Sequence, residues 1–528
     1  MEEKKSLWLR ILEPVVLGLG ALGFLLVCSL STTPLLSFEV GQDAAFFRLV
    51  GQGMTQGLLP YRDFFDMKGP YLFWMEYLGQ RLLFGRLGVF LVQWVCLTVS
   101  LIFAKKCLDV AFPEKGCPLL LGLLLLLPCA VVLSYTMQGG GLTEELSLPF
   151  LMPCLYLCLR YLRGTRLPSP ENQDHPPAWG FLYGLVFGIM ALIRITNAAL
   201  LGAILLTVTV NLFLWKRFRN FFANGAAFLL GALVGVLPGL LWAWWRGILG
   251  EMLSQVFLFG FRYSGEAGLT QKLMSLLKLW PCLFTGLLPL IVLMIYRVRD
   301  WKSWVFTLSS LATLLLAAAM GNGYAHYFVL SLPLTVYGAY LLADQTRKRF
   351  RRRAGDRVVC RVLSLLLLLG SLGAQWPLLY PKAIAEIRYA MYCALTHQED
   401  RRESDGVKAL VSQVPEGADV YIYGFPSCSR LYLLSGRMPP IRYCDWQEHY
   451  IALAPEIGEA IEAYLQTGSY VLTPETGIAP REIRELLQKD YEILDTRGEM
   501  TLWGRKAESS CQNWQTLPPE IQFLEVLL

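Results

Sequence analysis

The chain has 528 residues, 55% hydrophobic and only 17% charged, with a mean hydropathy of +0.44. That composition excludes a string of soluble domains, whose surfaces need more charge. The net charge of +6 hides two opposite parts: from residue 395 onward 21 acidic and 12 basic residues give −9, and the first 394 residues carry +15.

Apolar runs at 12–34, 88–104, 118–135, 146–161, 178–193, 197–214, 224–245, 274–296, 303–320, 327–343 and 362–379 each approach the roughly 20 residues that cross a hydrocarbon core. The first reads as an uncleaved helix rather than a secretory signal. The shorter run near 251–263 reads as a re-entrant or interfacial helix. Basic residues recur between alternate runs: Lys4, Lys5 and Arg10; Lys105, Lys106 and Lys115; Arg160, Arg163 and Arg166; Lys216, Arg217 and Arg219; Arg297, Arg299 and Lys302; and eight from Arg347 to Arg361. The positive-inside rule places all of these in the cytoplasm. The expected topology is a multi-pass protein of the cytoplasmic membrane, with the N-terminus inside and everything after about 380 outside.

Residues 395–528 read differently. Val407–Val414 predicts a helix, 419–424 a strand, Ile457–Leu465 a helix, Tyr470–Leu472 a strand and Arg481–Leu487 a helix. Tyr491–Leu494 and Met500–Trp503 predict a closing hairpin. This alternation is that of a small α/β layer. Gly424 follows a strand, but no GxGxxG accompanies it, so a nucleotide site is not supported. A −9 domain repels nucleic acid, and a solvated cap is its simplest role. Of thirteen cysteines, most lie in or beside apolar runs, where they act as small apolar residues. The spacing of Cys428 and Cys444 leaves a disulfide open.

The chemistry concentrates in the first outer segment. Gly41-Gln-Asp43-Ala-Ala-Phe-Phe47 is followed by Tyr61-Arg62-Asp63-Phe-Phe-Asp66-Met-Lys68-Gly-Pro70. An amphipathic connector explains the aromatics but not three aspartates, an arginine and a lysine beside a membrane, where charges must be paired, hydrated or metal-bound. Such a set suits sugar–phosphate chemistry: a carboxylate takes a proton from an acceptor hydroxyl, and Lys or Arg neutralises a phosphate.

These two motifs resemble the first outer loop of the polytopic GT-C glycosyltransferases. That group includes the protein mannosyltransferases, the lipid A aminoarabinose transferase and the rhizobial galacturonosyltransferases. The resemblance extends to Leu142-Thr-Glu144-Glu145, to Arg194, and to Tyr324-Ala-His326-Tyr327-Phe328, all predicted on the same side. Asp43 is followed by Ala rather than Glu, and Lys68 by Gly-Pro rather than Pro-Pro. Protein O-mannosylation is therefore less favoured than a bacterial polyprenyl-phosphate-sugar reaction.

The resemblance implies a GT-C-like α-helical polytopic membrane fold of about eleven transmembrane helices over 1–380, with a catalytic outer loop at 37–87. A small extracytoplasmic α/β domain follows over 381–528. It implies inverting transfer of a sugar from a polyprenyl-phosphate donor to a glycan, lipid or protein acceptor of the cell envelope. Asp43 is the expected base or acceptor-orienting carboxylate, against a helix cap or a partner of Arg48. Lys68 is the expected phosphate ligand, against a snorkelling lysine. Asp66 either binds a divalent cation, with Asp43 and His326 as further candidate ligands, or positions Lys68. Tyr61, Arg62 and Asp63, with Asp63 paired to Arg62, are expected near the substrate, as are Tyr324 and Tyr327. Arg194 is a second phosphate contact or a snorkelling arginine. Glu144 and Glu145 start a helix favourably by its dipole, or bind substrate. His326, between Tyr324 and Tyr327, contacts sugar or metal, or anchors the interface. Arg262 and Tyr263 are weaker candidates for a lipid entrance. The competing functions are a transporter or flippase of lipid-linked glycans, whose sites usually lie at the bilayer midplane, and a non-catalytic scaffold.

Overall fold

The computed structural model describes residues 7–36, 41–83, 85–114, 116–166, 169, 173–265, 268–278, 286–319, 324–350, 401–478 and 480–506, together with 384, 385, 388, 391, 392, 395 and 396. Helices dominate: α1 Leu7–Cys28, α2 Asp43–Thr55, α3 Pro70–Leu82, α4 Arg86–Ala111, α5 Leu119–Thr136, α6 Thr143–Gly164, α7 Pro177–Ala191, α8 Ala199–Leu214 and α9 Phe218–Trp245. They continue with α10 Leu249–Leu253, a π-helical turn Ser254–Phe259, α11 Gly260–Gly265, α12 Leu269–Lys278, α13 Leu288–Ile295, α14 Trp301–Ala319, a 3₁₀ segment Ala325–Ser331 and α15 Leu332–Phe350.

Among the described residues, eight helical stretches are long and apolar enough to cross a membrane. This is a multi-pass membrane protein. The run expected at 178–193 forms the shorter apolar helix α7. Much of 274–296 appears as α12 and α13, while 362–379 and Lys4, Lys5 and Lys115 lie outside the described residues. The first helix stops at Cys28 instead of 34, where Ser-Leu-Ser-Thr-Thr precedes Pro34; a proline disfavours helical backbone just before it.

The chain divides into two compact units. Residues 1–29, 90–239 and 267–389 form the first. Its 325–344 stretch is buried throughout, whereas only 22% of the α9 window is buried; Leu229, Leu233 and Leu237 are exposed. An apolar face uncovered by protein is the face a helix turns to lipid. The α7/α9 pair is held by small residues at four-residue spacing. A Cβ on Gly184 would lie 1.9 Å from Phe228 O, and one on Gly231 would lie 2.0 Å from Phe181 O. Close backbone approach of this kind is how helices associate in lipid, where no hydrophobic drive exists between them. At the mouth of this pair His175 Nδ1 meets Asn224 Oδ1 at 2.7 Å, and burial pushes the imidazole pKa down to about 4.

Residues 30–89, 240–266 and 390–528 form the second unit, so the segment between α1 and α4, together with α10–α11, packs with the C-terminal segment. The latter contains α16 Arg401–Val411, β1 Val420–Ile422, α17 Cys428–Ser435, α18 Gln447–Leu453, α19 Pro455–Leu465, β2 Tyr470–Pro474, α20 Arg481–Asp490, β3 Tyr491–Arg497 and β4 Met500–Arg505. The sheet order is β1-β2-β4-β3, with β1 and β2 parallel and the β3/β4 hairpin antiparallel. The small α/β layer and its hairpin are present as expected; α17 and α18 are additional. Gly424, at φ +81, is a turn glycine after β1. Cys428 and Cys444 are buried free thiols, not a disulfide. One aromatic core joins Phe65, between α2 and α3, and Phe259 of the π turn to Tyr421, Tyr443, Tyr450 and Ile461. Phe65 N also donates to Arg442 O at 2.9 Å.

Candidate functional site

In the second unit, Asp43 is the first residue of α2 and lies in its first turn, where the helix dipole favours a negative charge. It is half-buried. Arg48, one turn on, is buried; its Nη1 donates to Ser31 O at 2.9 Å. Burial lowers its pKa to about 9, opposed by the charge of Glu76.

The 58–68 segment is folded onto itself by its own polar groups. Tyr61 is buried with φ +72, a left-handed conformation that a bulky residue keeps only when its surroundings enforce it. Its hydroxyl donates to Lys68 O at 2.8 Å, and its carbonyl accepts Gln255 Nε2 at 2.7 Å. Asp66 is also buried. Its Oδ1 accepts Met67 N at 2.6 Å, Lys68 N at 3.2 Å and Lys68 Nζ at 3.4 Å, and its own N–H donates to Gln255 Oε1 at 3.1 Å. Asp66 Oδ2 is buried and meets no hydrogen-bond partner among the described residues. Burial pushes the Asp66 pKa above the ordinary carboxylate value, Lys68 opposes the shift, and the charge of Asp43 adds to it. Lys68 Nζ also lies over the Phe47 ring at 5.6 Å. Asp43, Asp66, Lys68 and Phe47 thus form one electrostatic neighbourhood.

Two expectations for this loop are corrected. Arg62 does not pair with Asp63: its Nη2 lies 3.2 Å from Glu251 and 2.5 Å from Gly247 O. Asp63 instead accepts Leu59 N at 2.6 Å. The reason is geometric, because the Asp63 carboxylate turns back onto the Leu59 N–H four residues earlier while exposed Arg62 reaches α10. Tyr61, expected as a ligand contact, has its side chain buried against Phe73 and its hydroxyl committed to Lys68 O; it shapes the loop that presents Lys68. Arg262 pairs with Glu456 at 3.1 Å, and Tyr263 packs on His449.

The first unit holds a second cluster. Glu144 and Glu145 occupy the first turn of α6. Arg194 Nη1 meets Glu144 Oε1 at 2.6 Å, and its guanidinium lies over Tyr327 at 4.2 Å. Glu145 is tied down by Gln93 Nε2, at 3.1 and 3.2 Å, and by Gly141 N at 3.0 Å. Its place is therefore structural. His326 Nδ1 meets Gln138 Oε1 at 2.7 Å, and its ring stacks on Tyr324. Gly139, Gly140 and Gly141 all have positive φ. A Cβ on Gly140 would lie 2.3 Å from Ser29 Oγ, so this tight reversal into α6 requires glycine.

Arg194 is accordingly an ion-paired, ring-stacked cation and not a snorkelling side chain. Among the described residues, no three His, Cys, Asp or Glu side chains gather as a metal-ligand set, and Asp66 Oδ1 is already occupied by an ammonium. Sequence reasoning missed Gln93, Gln138 and Gln255. The first and last carried a legible signal, a single amide inside an apolar helical run; Gln138 carried none before its positive φ was known.

No family model matches the sequence, and no curated protein matches it. Solved structures do. ArnT from Cupriavidus metallidurans bound to undecaprenyl phosphate superposes with a TM-score of 0.59 at 11% identity, covering 96% of this chain and 100% of that one. The apo state of the same protein gives 0.54 at 12% identity, over 94% and 99%. ArnT is the lipid A aminoarabinose transferase, a GT-C glycosyltransferase. At these identities the likeness establishes the fold, and the chain has a GT-C-type fold.

Proposed function

We propose that this GT-C-type protein is a membrane glycosyltransferase. It moves a sugar from a polyprenyl-phosphate donor to an acceptor hydroxyl at the outer face of the cytoplasmic membrane, in modification of a cell-envelope glycan or lipid. The observation that carries this reading is the Asp66–Lys68 pair. A buried carboxylate holds the lysine by one oxygen and keeps the other without a partner among the described residues, beside half-buried Asp43. The ArnT structure with undecaprenyl phosphate bound supports the donor class.

In this reaction Lys68 pairs with the donor phosphate, and Asp43 accepts the proton of the attacking hydroxyl. The acceptor oxygen bonds to the anomeric carbon as the bond from that carbon to phosphate oxygen breaks. The electron pair leaves with the lipid phosphate, whose charge Lys68 stabilises. One in-line displacement inverts the anomeric centre. Asp66 holds Lys68 in place. In the first unit, Glu144 and Tyr327 orient Arg194 and Gln138 orients His326; no step is routed through them. No step is assigned to a metal.

The test is reconstitution of the purified protein with labelled polyprenyl-phosphate sugars and outer-leaflet lipid acceptors. Label appearing in an acceptor supports the reading. Label that crosses the bilayer without changing carrier contradicts it and favours a flippase.

A further inference from the structure

At the end of the first unit remote from Glu144 and Arg194, a cleft of about 500 Å³ opens between Thr165–Arg166, Trp215, Tyr296–Ser303 and the α15 residues Gln345 and Lys348. Helix α6 runs from Glu144 at one end to this cleft at the other, 22 residues or about 33 Å at 1.5 Å per residue. Nothing in the proposed transfer uses it.

Its charges are unequal in number and in commitment. Five cations line it, Arg166, Arg297, Arg299, Lys302 and Lys348, against one lining carboxylate, Asp300. Arg166 and Lys348 share one carboxylate, that of Asp344, at 2.9 Å each. Asp300 accepts Ser303 Oγ at 2.7 Å and Lys302 N at 3.4 Å, which commits it to the start of α14. Lys302 Nζ is buried on neutral acceptors only, Thr165 O and Gln173 Oε1, both at 2.8 Å. Arg297 and Arg299 are exposed and have no ion pair among the described residues. Arg297, at φ +50, is the left-handed residue that closes α13, its N–H donating to Met294 O at 3.1 Å. Beside the aromatic lining residues Trp215 and Tyr296, the chain exposes Phe213, Leu214, Met294 and Ile295, an apolar surface next to a cationic hollow.

We propose that this cleft binds the phosphate headgroup of an anionic membrane phospholipid, with Arg297 and Arg299 on the phosphate and the acyl chains along Phe213, Leu214, Met294 and Ile295. The apolar flank selects a lipid over a free phosphate ester, because a soluble ester gains nothing from it. Basic hollows between helices are a recurring way to hold acidic headgroups.

The full-length protein, purified and stripped of lipid, is titrated with phosphatidylglycerol, phosphatidylcholine and soluble glycerol 3-phosphate, with bound molecules read by native mass spectrometry. The expected result is one retained phosphatidylglycerol, bound at least tenfold more tightly than either other probe. An Arg297→Gln/Arg299→Gln double variant, which removes no ion pair seen in the fold, should bind it at least tenfold more weakly while melting like the wild type without lipid. If the variant fails to fold, the wild type decides: phosphatidylglycerol binding should weaken at least tenfold between 0.05 and 0.5 M salt. Equal binding of the two lipids, an unaffected variant or salt-independent binding overturns the proposal. Glycerol 3-phosphate binding as tightly as phosphatidylglycerol overturns the lipid assignment.

Discussion

Gln255 holds Asp66 through its backbone: Oε1 accepts the Asp66 N–H at 3.1 Å, while Nε2 donates to Tyr61 O at 2.7 Å. A single buried amide in a π-helical turn thereby fixes both ends of the loop that carries the Asp66–Lys68 pair. Replacing Gln255 with Leu leaves a buried N–H and a buried carbonyl unsatisfied, at about 1–3 kcal/mol each. The expected outcome is a lower melting temperature in detergent and a fall in transfer rate larger than the change in folded yield. Unchanged melting and rate would show that the loop is positioned by something else.

Asp445 gives a pH prediction. Its carboxylate accepts Cys428 N at 3.1 Å and Ser429 N at 3.3 Å at the start of α17, yet burial raises its pKa to about 6. A carboxyl with a raised folded pKa contributes stability that is fully present below its ordinary value of 3.8 and is lost as pH rises through about 6. At 1.36 kcal/mol per unit the span is about 3 kcal/mol. The stability difference between wild type and Asp445→Asn should therefore shift in favour of Asn as pH goes from 4 to 7. A pH-independent difference would contradict the assignment.

Glu144 and Arg194 form a largely buried pair, 1% and 17% exposed. Removing one partner leaves the other charge uncompensated. A double-mutant cycle with Glu144→Gln and Arg194→Gln, read by thermal unfolding, should give a coupling energy of about 1–3 kcal/mol. Additive single effects would show that the two residues act independently.

The α7/α9 contact admits no side chain at Gly184, whose Cβ would meet Phe228 O at 1.9 Å. Gly184→Leu should destabilise by about 3 kcal/mol or more, seen as loss of monodisperse protein. A Leu variant that melts like the wild type would mean that these helices separate without consequence.

Much of this was legible from the chain alone, for definable reasons. Apolar runs report helices because the hydrocarbon core demands them, and short β-branched and aromatic runs such as Val420–Ile422 report strands. The chemistry of the 61–70 motif is visible because charge beside a membrane is costly. Pairing was not legible. Arg62 meets Glu251, 189 residues away, and no local pattern announces such a partner. The amides of Gln93 and Gln255 stand out in their apolar runs, but nothing in those runs names their partners, Glu145 for the one and Asp66 and Tyr61 for the other. Helices α17 and α18 are short and bounded by long-range contacts, as when Asp445 caps α17.

The central claim is that Asp43 and Lys68 perform the transfer, and the most direct measurement is single-turnover sugar transfer in reconstituted vesicles by Asp43→Asn, Lys68→Ala and Lys68→Arg. Loss of a proton acceptor or of the phosphate's cation should slow the step about 100-fold or more at unchanged folded yield, with Lys68→Arg restoring part of the Lys68→Ala loss. Wild-type rates in Asp43→Asn and Lys68→Ala would contradict the account.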